Sequence, residues 1–137
     1  MAINAKKKGN KGKKRPLRSL SSLKKKLDAL FSTYIRTKYS KNGICTCYTC
    51  GKKLPIKSIQ NGHFVPRQYL ATRWEEKNCR PQCWGCNGYG KGQILVFEEH
   101  LIKDIGKTAV QKLKTSRHKV LKLDRQWYEE QIAKYKV

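Results

Sequence analysis

Residues 78–87 read NCRPQCWGCN, and they decide the fold because they carry the second of two Cys-x-x-Cys pairs. The first pair is Cys47-Tyr-Thr-Cys50, and 32 residues separate Cys50 from Cys83. Two residues between cysteines let a tight turn aim both thiolates at one ion. Two such turns give tetrahedral four-sulfur coordination, the usual structural zinc site. A redox Cys-x-x-Cys would be a single pair. Cys47, Cys50, Cys83 and Cys86 are therefore assigned to a structural Zn2+. Four protein ligands leave no open position, so the ion is expected to hold the fold, at on the order of 10 kcal/mol, and not to react. Cys45 lies too close to Cys47 for an easy chelate. Cys79 has the spacing of a substitute ligand, but both are expected to be free, partly buried thiols.

The chain has 137 residues, with 32 Lys and Arg against 9 Asp and Glu and a formal charge of +23. Its length suits one small domain, and its charge calls for a dense polyanion, nucleic acid first. A membrane surface is the competing polyanion, but no apolar run approaches the ~20 residues that span a bilayer. The Lys- and Gly-rich start also lacks the apolar segment of a secretion signal. A cytoplasmic protein is expected. In that reducing compartment, six cysteines in this spacing read as metal ligands and not as disulfides.

Residues 1–18 read as a disordered basic arm with almost nothing to bury. Lys6, Lys7, Lys8, Lys11, Lys13, Lys14 and Arg15 are its candidate phosphate contacts, against the alternative of a solubilising tail. The remainder, 19–137, is expected to form one domain. Over 19–40, Leu20, Leu23, Leu27, Leu30, Phe31, Tyr34 and Ile35 recur at three- and four-residue steps, the period of an amphipathic helix with a serine cap. Residues 43–92 break that period and are rich in Gly, Cys, Pro and Asn, as expected where a metal replaces apolar core. Helices are predicted over 93–105, 107–116 and 121–136. The fold class is α+β.

His63 sits in GHFVPR, residues 62–67, between the two cysteine pairs. Spacing alone leaves it a packed histidine or a catalytic one. The ensemble CYTCGK, GHFVP and NCRPQCWGCN, however, resembles the HNH nucleases with a ββα-metal (His-Me finger) core. More closely, LDALFSTYIRTKYSKNGICTCYTCGK, GHFVPR, NCRPQCWGCN and a helix ending in DIG, within residues 27–106, resemble the phage NinG/Rap recombination endonucleases. The resemblance implies a small zinc-braced ββα-metal core between N- and C-terminal helices. It also implies a phage protein acting in the bacterial cytoplasm on branched DNA such as Holliday junctions and D-loops.

Position by position, the resemblance makes His63 the general base and Asn78 a structural residue holding the loop between the strands. It makes Asn87 the protein ligand of a catalytic Mg2+ or Mn2+. One departure stands out: where many HNH proteins place a metal-binding Asp before the histidine, this chain has Gly62. An asparagine-only site is expected, with Asp28, Glu75, Glu76, Glu98 and Glu99 the acids available to replace the missing ligand. Arg67, Arg73 and Arg80 are candidate phosphate grips, Arg67 foremost. Trp74 and Trp84 are expected in the core, the alternative being to stack on unpaired bases. The Trp127 to Tyr135 helix either supplies a homodimer interface or packs within the chain. Two rival readings are a non-catalytic zinc-ribbon protein binding DNA or RNA, and an HNH nuclease acting on ordinary duplex.

Overall fold

The computed structural model describes residues 17–136. The expected arm lies almost wholly outside them, and its candidate contacts from Lys6 to Arg15 lie outside entirely. The first element is helix α1 (Leu20–Lys38), whose N-cap Ser19 accepts a hydrogen bond from the backbone N–H of Ser22 at 3.1 Å. Leu23, Leu27, Phe31 and Ile35, spaced by four, form its buried stripe.

A three-stranded antiparallel sheet follows: β1 (Ser40–Lys41), β2 (Ile44–Thr46) and β3 (Lys53–Pro55), in the order β1-β2-β3. The first cysteine pair occupies the turn between β2 and β3. A second, two-stranded sheet pairs β4 (Gln60–His63) antiparallel with β5 (Cys79–Gln82), with His63 opposite Cys79 and Gly62 opposite Arg80. Between them runs a loop carrying the one-turn helix α2 (Leu70–Arg73). After β5 the chain enters a wide π-helical turn over Gly85–Tyr89, which carries Cys86 and Asn87. Strand, strand, helical turn is the order implied by the family resemblance. The third piece is a five-residue π turn, and the longer helix begins only after Gly90 and Gly92.

Helices α3 (Ile94–Ile105), α4 (Lys107–Ser116) and α5 (Arg125–Tyr135) complete the chain. The last starts four residues later than its periodicity suggests, because Asp124 caps it, accepting from the Trp127 N–H at 2.9 Å. Its Tyr128, Ile132 and Tyr135 are buried against α1 and Trp74. The side chains offered for a dimer interface are thus used inside the chain. A second apolar cluster joins Phe64 and Val65 to Phe97, Leu101, Val110 and Leu113. The third cluster is made largely of cysteines, Cys45, Cys47, Cys83 and Cys86 with Ile59, so sulfur stands in for hydrocarbon there. Among the described residues, no helix is long and apolar enough to cross a membrane.

Candidate metal centre and cleft

The sulfurs of Cys47, Cys50, Cys83 and Cys86 all lie within 4.8 Å of one another. Cys50 Sγ and Cys83 Sγ are 3.7 Å apart. The edge of a tetrahedron with Zn–S bonds of about 2.3 Å is about 3.8 Å, so the four residues are positioned to bind one metal ion, and four thiolates are the donor set of structural zinc. Local hydrogen bonds preform each turn. Cys47 N–H donates to the Lys52 carbonyl at 2.7 Å, and the Cys86 and Asn87 N–H groups both donate to the Cys83 carbonyl, at 3.1 and 2.9 Å. Cys45 and Cys79 lie outside the cluster as buried free thiols. Burial pushes both thiols above their ordinary pKa.

The chain leaves the metal centre at Cys86, and the next residue, Asn87, lines a cleft of about 460 Å³. His63, Asn61, Gln60, Arg67 and Asp28 line the same cleft, so β4, the loop after it, the π turn and α1 all meet there. His63 is half-buried at the end of β4, and its Nε2 lies 2.9 Å from the Arg73 carbonyl. A carbonyl only accepts, so Nε2 carries the proton and Nδ1 is left as an acceptor. Burial, reinforced by the positive charges of Arg67 and Arg73, lowers the His63 pKa below its ordinary value. The ring is therefore neutral at neutral pH, with a lone pair on Nδ1.

Asn78 is fully buried. Its Oδ1 accepts from the Val65 N–H at 2.8 Å, and its Nδ2 donates to the Val65 and Thr72 carbonyls at 3.0 and 3.1 Å. One side chain thus closes the loop that follows His63, as a backbone ladder would. Asn87 donates from Nδ2 to Gln60 Oε1 at 2.9 Å, which fixes the amide and leaves its Oδ1 available to a cation. Asn61 adds a buried Oδ1 with no hydrogen-bond partner. The sequence reading missed Asn61, although strand alternation places it on the same side of β4 as His63, two residues before it.

Gly62 has a steric cause. A Cβ at this position would lie 2.0 Å from Gln82 Oε1 and 2.6 Å from Gln82 Cδ. Gln82 is fully buried and held through Nε2 to Thr49 Oγ1 at 3.1 Å and to the Gly92 carbonyl at 2.9 Å. No aspartate fits there while Gln82 stays in place. Among the acids considered as replacements, only Asp28 lines the cleft, and it is already engaged. It accepts from Arg73 Nε and Trp74 Nε1, both at 3.0 Å, from Arg73 Nη2, and from Arg67 Nη2 at 3.3 Å. Because the Arg73 carbonyl holds His63, Asp28 acts on the imidazole at one remove. Glu76 instead binds Tyr34 and Lys38, and Glu98 pairs with Lys114.

The three arginines separate clearly. Arg67 has 65% of its side chain exposed at the cleft. Arg73 and Arg80, expected as phosphate contacts, are buried. The Arg73 guanidinium is held by Asp28 and the Arg67 carbonyl. Arg80 donates to the Cys79 and Glu76 carbonyls at 2.8 and 3.1 Å and lies over the Tyr39 and Tyr48 rings. Both are internal fasteners. Trp74 is in the core as expected, but Trp84 is 61% exposed. Arg36, half-buried on α1, also lines the cleft, with Nη1 donating to the Ile56 carbonyl at 2.7 Å.

No curated protein and no solved structure gives a significant match to this chain. The description of one family does match, over residues 2–137, a span that takes in both cysteine pairs, the His63 strand and the Asn87 turn: the chain belongs to the family of the bacteriophage lambda NinG protein.

Proposed function

We propose that this protein is a metal-dependent endonuclease of the HNH type, akin to the NinG/Rap recombination nucleases, that hydrolyses phosphodiester bonds in branched DNA such as Holliday junctions and D-loops. The observation that carries the reading is the pairing in one cleft of a neutral His63, its Nδ1 free, with an Asn87 amide whose Oδ1 is free. An imidazole with a free nitrogen and a pKa near or below neutrality takes a proton from water. The hydroxide so formed attacks phosphorus in line, and the 3′ oxygen departs. Arg67, paired with Asp28 and largely exposed at the cleft, binds a non-bridging phosphate oxygen.

The cleft also fits a hard divalent cation, since Asn87 Oδ1 and the unpartnered Asn61 Oδ1 are oxygen donors. Mg2+ or Mn2+ bound there would offset negative charge on the phosphorane and the leaving oxygen. Zinc in the four-cysteine centre braces β5 and the π turn and takes no part in cleavage. Recombination of phage DNA would place the protein in the bacterial cytoplasm.

The test is nicking of a synthetic four-way junction and a matched linear duplex in Mg2+ or Mn2+, with His63→Ala and Asn87→Ala alongside the parent. The parent is expected to nick the junction and both variants to lose the activity. A parent that binds both DNAs and cuts neither would leave a zinc-bearing binding protein. Equal cutting of junction and duplex would make it a nuclease of ordinary duplex.

A further inference from the structure

Trp84 and Tyr89 are 61% and 83% exposed, and their ring centroids lie 6.3 Å apart with planes at 40°. Water-facing aromatics of this size are unusual on a small chain, and this pair has a structural cause. In an α-helix, residues five apart point about 140° away from one another. Between them the chain instead makes an i→i+5 turn, closed by the Gly90 N–H to Gly85 carbonyl bond at 2.7 Å, and residues five apart come to the same side. The indole is also seated: a Cβ on Gly88 would lie 2.9 Å from Trp84 Nε1 and 3.2 Å from Cε2, so the ring lies against a backbone that only glycine leaves bare. The wide turn thus presents both rings outward while its Asn87 side chain bonds Gln60 and lines the cleft.

We propose that Trp84 and Tyr89 form a stacking platform for unpaired nucleobases of a DNA strand whose phosphate lies in the His63 cleft. The proposal rests on the nucleic-acid reading above and narrows its substrate to DNA with unstacked bases beside the reactive phosphate. Three observations favour this occupant over a protein. The chain carries a formal charge of +23, and no acid occurs between Glu76 and Glu98, so the stretch that carries the rings holds no carboxylate to repel phosphate. Lys91, two residues beyond Tyr89, is exposed and forms no salt bridge among the described residues. The platform and Asn87 are parts of one turn, so only a helix body of about 10 Å separates rings and cleft. At ~3.4 Å of rise per base that is about three nucleotides. Base–aromatic stacking is indifferent to sequence because every base has a π-face, as suits a protein that reads structure.

The experiment measures binding by the full chain, zinc-loaded and without Mg2+, to three probes: a duplex with a short single-stranded gap, a four-way junction and a continuous duplex. Trp84→Ala/Tyr89→Ala should weaken binding to the gapped duplex and the junction about tenfold or more, and binding to the continuous duplex less than twofold. Trp84→Phe, which keeps a ring, should restore most of the loss, and a 2-aminopurine in the gap should be quenched by the parent and not by the double variant. Equal losses on all three probes, or no loss on any, would overturn the platform, as would a parent that binds none of them. The outcomes separate from those of the cleavage test. A double variant that binds like the parent while the parent still cuts removes the platform and leaves the nuclease. Selective loss of gapped-DNA binding in a chain that cuts nothing removes the nuclease and leaves the platform.

Discussion

The four-cysteine centre and the His63 cleft meet at the peptide bond between Cys86 and Asn87, yet they are made of opposite materials. In the first, four cysteine sulfurs converge within 4.8 Å, three of the residues buried, and no carboxylate, water or substrate is needed to complete the shell. In the second, the available donors are neutral amides, and the one lining carboxylate is tied to two arginines and a tryptophan. A donor set that is itself anionic and complete binds its ion in the absence of any partner and adds that binding energy to folding. A set of neutral oxygens holds Mg2+ weakly and depends on waters and substrate phosphate to finish the shell. The difference separates an ion that maintains structure from one that would arrive with the substrate.

The comparison can be broken first at the cysteines. Cys50→Ser/Cys86→Ser, or strong chelation, should abolish cooperative thermal unfolding, a loss on the order of 10 kcal/mol. Elemental analysis should find one zinc per parent chain. A metal-free variant that melts like the parent would show that the centre is not structural. The next largest effect belongs to the cleft: His63→Ala should cut the nicking rate about 10²- to 10⁴-fold while leaving the melting temperature and zinc content nearly unchanged. Cleavage as fast as the parent's would remove the base from His63.

Gly62→Asp offers a sharper test, since it restores the expected metal ligand on paper. With Gln82 Oε1 2.0 Å from the new Cβ, it should cost about 3 kcal/mol in denaturant unfolding and should not tighten Mn2+ binding. Tighter binding at undiminished stability would show that Gln82 moves freely. The arginines should divide the same way. Arg67→Ala should weaken DNA binding about tenfold with little change in melting temperature. Arg73→Ala should lower the melting temperature by several degrees, because it removes two of the four hydrogen bonds that Asp28 accepts in a half-buried site.

The smallest effect is a shift in pH. A lowered His63 pKa means the base is deprotonated, hence active, down to a pH below the free-histidine value of about 6.5. The acid limb of the cleavage profile should lie below that value. Asp28→Asn removes a nearby negative charge that favours the imidazolium, so it should move the limb further down. A limb above 6.5 in the parent would contradict the burial argument.

What the sequence revealed followed from how local each cause is. Cys-x-x-Cys spacing is a property of a single turn, and the four-residue period of Leu23, Leu27, Phe31 and Ile35 belongs to a single helix, so both were readable directly. Asn78 and Asn87 were placed by resemblance, and their hydrogen bonds supply reasons that the sequence does not contain. The fate of Arg73 was illegible because its carboxylate partner, Asp28, lies on α1; Arg80 instead turns back onto the nearby carbonyls of Cys79, Lys77 and Glu76, which a charge count that treats every arginine as solvated does not weigh. Gly62 looked like an omission because the side chain that fills its space, Gln82, belongs to the neighbouring strand. The π turn was hidden for another reason. Helical reading assumes a period of about 3.6 residues, so a wider turn that exposes Trp84 passes for a loop, and the ring is assigned to the core.

Tyr48, one of the two residues between the first cysteines, has consequences well beyond its spacing role. Its N–H donates to the Pro81 carbonyl of β5 at 2.8 Å, its carbonyl lies 2.6 Å from His100 Nδ1 on α3, and its hydroxyl bonds Asp104 at the far end of that helix. A turn shaped by a metal therefore fastens a strand and a helix that contribute no ligand between them. In hydrogen exchange, β5 and α3 should form one cooperative opening unit with the cysteine turns. Stripping the ion should then deprotect amides along α3 as early as those beside the sulfurs.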